Sequence, residues 1–189
     1  MDKLISLDHQ IFYFINGQLQ NSIFNWLCPL LRNPLTWIPL YVILFAFLVY
    51  RYKKQSVFIL VFAIINVAFT DQISSSIIKP LAHRLRPCNN PFLLHPVHLL
   101  IDCGSGFSMC SSHAANHFGM AVFFSFLFSR KYKWVLYTGI IWASIISLSQ
   151  VYVGVHYPSD ITVGAIVGIC TGLACGKLCL HFIPKPFNL

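Results

Sequence analysis

Residues 35–78 read LTWIPLYVILFAFLVYRYKKQSVFILVFAIINVAFTDQISSSII, and this stretch gives the clearest indication of the fold. Two apolar runs, 35–50 and 57–78, stand on either side of a short turn that carries three cations, Arg51, Lys53 and Lys54. Trp37 lies near one end of the first run and Tyr50 at the other, as is usual where aromatic rings meet lipid head groups. The sequence therefore predicts two membrane-spanning helices joined by a basic turn.

The composition of the whole chain supports a membrane protein. Of its 189 residues, 57% are hydrophobic and 10% are charged, whereas a soluble domain has roughly 45–50% apolar residues. A globule of this size leaves roughly a third of the unfolded chain's surface in water. So much apolar surface excludes a water-soluble fold.

Three further apolar runs, 114–128, 134–148 and 161–182, predict additional spans. Several runs are shorter than the roughly 20 residues that a hydrocarbon core requires, so their polar flanks should continue the helices. The N-terminal region 1–34 is interrupted by polar residues at 16–22, which favours a helix lying along the interface. We expect an all-α membrane bundle with about five transmembrane helices and an interfacial N-terminal helix, forming one domain over residues 1–189.

The basic residues predict the orientation of this bundle. Cations cluster in the turns at 51–54 and 130–133, which the positive-inside rule places in the cytoplasm. The loop 79–112 and the connection 149–160 should then share the outer face. The formal net charge of +8 suggests anionic lipids or an anionic substrate as partners. Nucleic acid is not expected, because the aromatic residues lie mostly in apolar runs.

Three clusters of polar residues fall on the predicted outer face. They are KPLAHRLRP at 79–87, CSSH at 110–113 and SQVYVGVHYPSD at 149–160. Lys79 and Arg86 suit an anionic group, and the arginine fork can hold two phosphate oxygens. Alternatively, both side chains extend towards lipid head groups.

The second and third clusters each allow two interpretations. Ser111 and Ser112 suit the N-cap of a helix, but free N–H groups at a helix start also bind anions. His113 would then stand beside a bound phosphate as a proton donor. Asp160 follows His156 by four residues, so it either orients an imidazole nucleophile or complements the dipole of a helix.

The three clusters together resemble the signature of the type 2 phosphatidic acid phosphatases, a membrane family related to vanadium haloperoxidases. That pattern reads K-x6-R-P, P-S-G-H and S-R-x5-H-x3-D. The resemblance covers roughly residues 79–160 and implies a metal-independent phosphatase without a cofactor. It makes His156 the nucleophile that forms a phosphohistidine, oriented by Asp160, and His113 the acid for the leaving oxygen. Lys79, Arg86 and Ser111 would hold the phosphoryl oxygens.

The chain departs from the family pattern at three positions. Cys110 stands where the family has proline, Ser112 replaces glycine, and Gln150 replaces arginine. Ser112 can still offer its backbone N–H to phosphate. Gln150 offers neutral hydrogen bonds in place of a charged fork, so another cation should compensate, and Arg84 and His83 are the nearest in sequence. We expect Gln150→Arg to leave activity equal or higher.

Residues of the long loop allow two further hypotheses. His95 and His98 share the loop with Cys88 and Cys103, but their spacing matches no familiar zinc pattern, so no metal site is expected. Cys88 and Cys103 would face an oxidising compartment if the orientation is right, which allows a disulfide between them. The loop 79–112 would form the outer part of the active site.

The favoured function is an integral-membrane lipid phosphatase of the bacterial inner membrane, with its site facing the periplasm or outside. By family analogy a polyprenyl diphosphate such as undecaprenyl diphosphate is the first choice of substrate, followed by phosphatidylglycerophosphate, phosphatidic acid and the phosphates of lipid A. Alternatives are a phosphotransferase acting on a second lipid, a non-enzymatic lipid-binding protein and a vanadate-dependent oxidase. The sequence does not specify the oligomeric state.

Overall fold

The computed structural model describes residues 2–184, and all regular secondary structure in this part of the chain is helical. The α-helices are α1 (Asp2–Tyr13), α2 (Ser22–Arg32), α3 (Ile38–Tyr52), α4 (Lys54–Asp71), α5 (Lys79–Ala82), α6 (Ser112–Phe128), α7 (Trp134–Tyr152) and α8 (Pro158–Phe182). Short π-helical segments occupy Phe14–Gln18 and Gln72–Ile78, and 3-10 turns occupy Pro34–Trp37 and Pro87–Asn89. The predicted all-α class is confirmed.

Four segments within residues 2–184 are long and apolar enough to cross a membrane. They are Pro34–Tyr52, Lys54–Asn89, Trp134–Tyr152 and Pro158–Phe182. The remaining predicted span corresponds to α6, which has 17 residues and is roughly 25 Å long at 1.5 Å per residue. As expected, polar flanks continue the helices: α7, for example, extends through Gln150 to Tyr152.

The centre of the bundle is the contact between α6 and α8. Four glycines recur at every fourth residue along α8, at Gly164, Gly168, Gly172 and Gly176, and face α6. A Cβ atom built at Gly168 would lie 2.3 Å from the carbonyl oxygen of Ala115, so the two backbones approach as closely as small residues allow. This contact fixes the start of α8 beside the start of α6.

Both helix starts are locally determined. The Ser111 hydroxyl caps α6 by accepting a hydrogen bond from the N–H of Ala114 at 3.4 Å. Pro158 begins α8, where its fixed φ suits the first helical turn. The N–H of Ser111 donates to the carbonyl of Asp160 at 3.1 Å. The second and third sequence clusters are thereby joined.

The two basic turns lie together at the opposite end of the bundle. Tyr52 at the end of α3 and Phe128 at the end of α6 pack with ring centroids 5.3 Å apart. The turns at 51–54 and 129–133 follow directly from these helix ends. The bundle therefore carries its basic turns at one end and its polar clusters at the other.

The N-terminal region packs over the cluster end of the bundle. Asn16 donates to the carbonyls of Tyr152 at 2.7 Å and His98 at 2.8 Å, and the Tyr152 hydroxyl donates to Asn25 at 2.7 Å. Cys28 on α2 is buried against residues at the end of α7. The described part of the N-terminal region, residues 2–34, thus has a role that the interfacial prediction did not include, because it brings side chains to the polar clusters.

Candidate active site

His156 and Asp160 form the centre of the polar clusters. His156 is 3% exposed and Asp160 is completely buried. Nδ1 of His156 lies 3.5 Å from Oδ2 of Asp160, which is longer than an ordinary hydrogen bond. Catalytic contacts of this kind often tighten only when substrate binds. Because Nδ1 faces the carboxylate, Nε2 is the nitrogen available for attack on a substrate.

The environment of His156 favours a neutral imidazole. Burial is the main cause that lowers the pKa of His156 below 6.5, the charges of Arg86 and Lys79 lower it further, and Asp160 opposes them. A neutral ring retains the lone pair that a nucleophile requires. The same two cations would attract an anionic substrate to this side chain.

Lys79 and Arg86, the two cations of the first cluster, both act electrostatically on His156. Nζ of Lys79 donates to the Ser112 hydroxyl at 3.2 Å. Nε of Arg86 is buried and has no hydrogen-bond partner among the described residues. A buried donor of this kind is costly unless a partner arrives, and a phosphoryl oxygen is a suitable acceptor.

The start of α6 contributes three of the predicted residues. Ser111 is fully buried and its hydroxyl serves as the helix cap. The Ser112 hydroxyl contacts Ser74 at 2.8 Å and Ser75 at 3.1 Å, both in the π-helical segment after α4. His113 follows in the first turn of α6 and lines a cavity beside the start of this helix. Its position suits exchange of a proton with a group bound there.

Gln150 lies in the site but contacts a residue that the sequence did not suggest. It is fully buried, and its Oε1 accepts a hydrogen bond from Nε of Arg32 at 3.3 Å. Its Nε2 has no partner within residues 2–184. The cation beside the missing family arginine is thus Arg32, at the end of α2.

The two predicted auxiliary residues have other positions. Arg84 donates to Asp160 at 2.8 Å, to Asp8 at 2.6 Å and to the Ser159 hydroxyl at 2.6 Å. His83 is exposed and packs edge-on against Phe107. Neither side chain is recorded in contact with Gln150, because Arg84 is held by carboxylates and His83 packs on Phe107.

Two residues of the site, Asp8 and Arg32, lie in the N-terminal region and were missed from the sequence. Asp8 accepts hydrogen bonds from the backbone and hydroxyl of Ser159 at 2.8 and 2.6 Å. The available signal was the presence of charged residues in an otherwise apolar amphipathic segment. That signal indicates a polar partner without identifying it.

The long loop is closed by a disulfide between Cys88 and Cys103. Cys88 lies two residues after Arg86, and Cys103 immediately precedes Gly104. A Cβ atom built at Gly104 would lie 4.0 Å from Cζ of Arg86. Among the described residues, no three His, Cys, Asp or Glu side chains form a group that could hold a metal ion. The disulfide therefore restrains the segment that carries Arg86.

A cavity of about 1010 Å³ extends from the start of α6 into the apolar part of the bundle. Arg32, Ser112 and His113 line its polar end. Side chains of α3, α4 and α6, including Phe45 and Ile64, line the remainder. The arrangement suits a molecule with an anionic head and an apolar tail.

Comparison with known proteins agrees with this geometry. The sequence model of the PAP2 superfamily matches residues 56–183. A lipid A 4'-phosphatase of Bacteroides thetaiotaomicron is 32% identical over 171 residues, covering 89% of this chain and 75% of that protein. An undecaprenyl-diphosphatase of Sulfolobus acidocaldarius is 33% identical over 132 residues, covering 70% of this chain and 58% of that protein.

A solved structure shares the fold. The crystal structure of a transmembrane PAP2 type phosphatidylglycerolphosphate phosphatase from Bacillus subtilis superposes with a TM-score of 0.73 at 20% identity, covering 100% of this chain and 90% of that one. At this identity the likeness concerns the architecture of the bundle alone.

Proposed function

Because this chain belongs to the PAP2 superfamily and is an integral-membrane lipid phosphatase, we propose that it releases inorganic phosphate from lipid A through a phosphohistidine intermediate. The observation that carries the proposal is the cavity, whose polar end holds His113 and whose walls are apolar. A lipid phosphate would place its phosphoryl group at His156 and an acyl chain between α3, α4 and α6.

The reaction uses residues that already lie together. Nε2 of His156 attacks phosphorus while the bond to the lipid oxygen breaks, and His113 donates a proton to that leaving oxygen. Lys79 and Arg86 stabilise the charge on the non-bridging oxygens. Water then attacks the phosphohistidine with His113 accepting its proton, which releases phosphate and restores both histidines.

The comparisons with known proteins change the order of candidate substrates that was expected from the sequence. Undecaprenyl diphosphate was the first choice there, but a lipid A 4'-phosphatase resembles most of this chain. Undecaprenyl diphosphate remains the second candidate because a relative named for that activity covers 70% of the chain. Both lipids combine phosphate with a long apolar part, so the cavity accommodates either class.

A substrate panel separates these candidates. Purified protein in detergent would be given lipid A, undecaprenyl diphosphate, phosphatidylglycerophosphate and phosphatidic acid, with a chelator present, and released phosphate would be measured. We expect the highest kcat/KM on lipid A, inhibition by vanadate, and no activity in His156→Ala. His181→Ala, at the far end of α8, is the matched control. Equal activity of wild type and His156→Ala would refute the proposal.

A second experiment tests the phosphohistidine intermediate and identifies the molecule, water or a second lipid, that accepts the phosphoryl group. With a substrate labelled in its phosphate, an alkaline quench should trap label on wild-type protein and none on His156→Ala, because phosphohistidine is stable to base. Mass spectrometry of the lipids distinguishes hydrolysis from transfer. Dephosphorylated lipid matched by free phosphate supports a hydrolase, whereas a newly phosphorylated lipid supports the phosphotransferase alternative.

We further propose that the site faces the periplasm, or outside, from the inner membrane. The basic turns lie at the end opposite His156, and the positive-inside rule assigns that end to the cytoplasm. The Cys88–Cys103 disulfide suits an oxidising compartment. An impermeant maleimide applied to intact spheroplasts should label Phe92→Cys but not Arg130→Cys, both in a Cys170→Ser background. The reverse pattern would place the site inside.

A further inference from the structure

The contact between Arg32 and Gln150 brings a cation from outside the three sequence clusters into the site. Nε of Arg32 donates to Oε1 of Gln150 at 3.3 Å, across 118 residues of sequence. Gln150 is fully buried, and its Nε2 has no partner among the described residues. One end of the amide therefore holds the guanidinium, and the other remains free to donate.

Arg32 lies within reach of the groups that surround the nucleophile. It lines the polar end of the cavity together with Ser112 and His113, and Lys79 donates to the Ser112 hydroxyl at 3.2 Å. Burial lowers the pKa of the Arg32 guanidinium, and the positive charge of Arg86 lowers it further.

Arg32 has no counter-ion within residues 2–184. Among the described side chains, no carboxylate lies within 4 Å of Arg32, whereas Arg84 is paired with Asp8 and Asp160. A half-buried cation beside another cation is unfavourable unless an anion joins them. Because Nε is occupied by Gln150, the terminal Nη groups are left to bind that anion.

A purely structural role explains the contact less well. Helix α2 is held on α7 by other groups: the Tyr152 hydroxyl donates to Asn25 at 2.7 Å, and Cys28 is buried beside Tyr152. The end of α2 is further fixed by Trp37, whose indole N–H donates to the carbonyl of Leu31 at 2.7 Å. The charge of Arg32 is not required to attach the helix.

We propose that the guanidinium of Arg32 binds a non-bridging oxygen of the substrate phosphoryl group. Gln150 positions this guanidinium through Oε1 and donates a hydrogen bond to the phosphate through Nε2. This proposal rests on the proposed phosphatase function. The pair would supply from two helices the charge and hydrogen bonds that the family pattern places in one arginine at position 150.

The proposal reverses the effect expected for Gln150→Arg from the sequence. An arginine at this fully buried position has no oxygen that could accept the hydrogen bond from Arg32. It would also place two guanidinium groups side by side. Arg32→Gln alone removes the charge. The double variant Arg32→Gln with Gln150→Arg exchanges the two side chains and restores one cation and one amide, so each change should compensate for the other.

The experiment compares wild type, both single variants and the double variant on lipid A, with Arg130→Gln as the matched control. We expect Arg32→Gln to lower kcat/KM about 10²–10³-fold, as for loss of one transition-state donor, and to weaken inhibition by vanadate. The double variant should be more active than either single variant. Size-exclusion profiles and thermal unfolding in detergent identify any variant that fails to fold.

Two outcomes would overturn the role of Arg32: Arg32→Gln with wild-type activity and vanadate affinity, or a folded double variant no more active than Arg32→Gln. Should the double variant not fold, methylguanidinium added to Arg32→Ala replaces it, and absence of rescue together with unchanged vanadate affinity counts against the proposal. His156→Ala, assayed in parallel, keeps the conclusions separate. If His156→Ala is inactive, a negative result for the Arg32 variants counts against the role of Arg32 and not against the phosphatase function.

Discussion

Arg84 donates from Nη1 to Oδ1 of Asp160 at 2.8 Å, and this contact secures the carboxylate that faces His156. The opposite nitrogen, Nη2, donates to Asp8 on α1 at 2.6 Å. The guanidinium also stacks over the ring of Tyr157, 3.8 Å from its centroid. Arg84 therefore joins the N-terminal helix to the start of α8, and through Asp160 it would orient the proposed nucleophile His156.

Replacing Arg84 with glutamine should slow the reaction without weakening substrate binding. We expect kcat to fall about 10–100-fold, by analogy with the loss of a partner that orients a metal-ligating histidine, with KM little changed. Asp8→Asn should act in the same direction and more weakly, because Arg84 would still hold Asp160. Steady-state kinetics with Arg130→Gln as control provide the measurement. A change confined to KM would contradict this role.

Enlarging Gly168 should loosen the centre of the bundle. A Cβ there would lie 2.3 Å from the carbonyl oxygen of Ala115 and 2.7 Å from the N–H nitrogen of Gly119. Gly168→Ala gains at most about 1 kcal/mol of helix propensity, but overpacking costs about 1–3 kcal/mol. We expect a net loss of stability, measured by thermal unfolding in detergent. Gly17→Ala is the control, since nothing lies within 4 Å of its Cβ position.

The acid side of the pH profile should reflect His156. Its pKa is lowered below 6.5, chiefly by burial and further by Arg86 and Lys79. Attack requires the neutral ring, so activity should persist below pH 6.5 and fall as the pH drops through the lowered pKa. Arg86→Gln removes one of the lowering charges, and its acid limb of kcat/KM should move to higher pH. A limb that stays in place would show that another group titrates.

The disulfide predicts a defined thiol count. Seven cysteines are present and two are bonded, so unfolded protein should show five thiols before reduction and seven after it. Cys88→Ser should lower stability by about 2–4 kcal/mol, the usual range for a native disulfide. It should also lower activity, because Cys88 lies two residues after Arg86 and the bond restrains that part of the chain. Cys170→Ser, at an exposed free cysteine, is the control. Seven thiols before reduction would contradict the bond.

Much of the fold could be predicted because its signals are local. The runs at 35–50 and 57–78 indicated helices by length and hydrophobicity alone. The first agrees with α3 to within three residues, and the second covers α4 together with the π-helical segment that continues it to Ile78. The shortness of α6 was visible too. The glycine repeat that seats α8 on α6 was present in the sequence, but its partner surface became evident only from the packing.

The candidate site could be predicted in part. Residue types and spacing indicated His156 with Asp160, because four residues at a helix start bring the two side chains together. Arg84 and His83 were expected to compensate for Gln150 because they were the nearest candidate cations in sequence. In the structure Arg84 pairs with Asp160 and His83 is exposed, because proximity in sequence does not determine the direction of a side chain.

The sequence by itself determined the helical class, the membrane character and the three polar clusters, since run lengths, composition and motif spacing are properties of neighbouring residues. The tertiary structure decided which further side chains reach those clusters. Arg32 meets Gln150 across 118 residues and Asp8 meets Arg84 across 76. Such contacts depend on how α1 and α2 pack over the bundle, and no local pattern specifies the relative placement of distant helices.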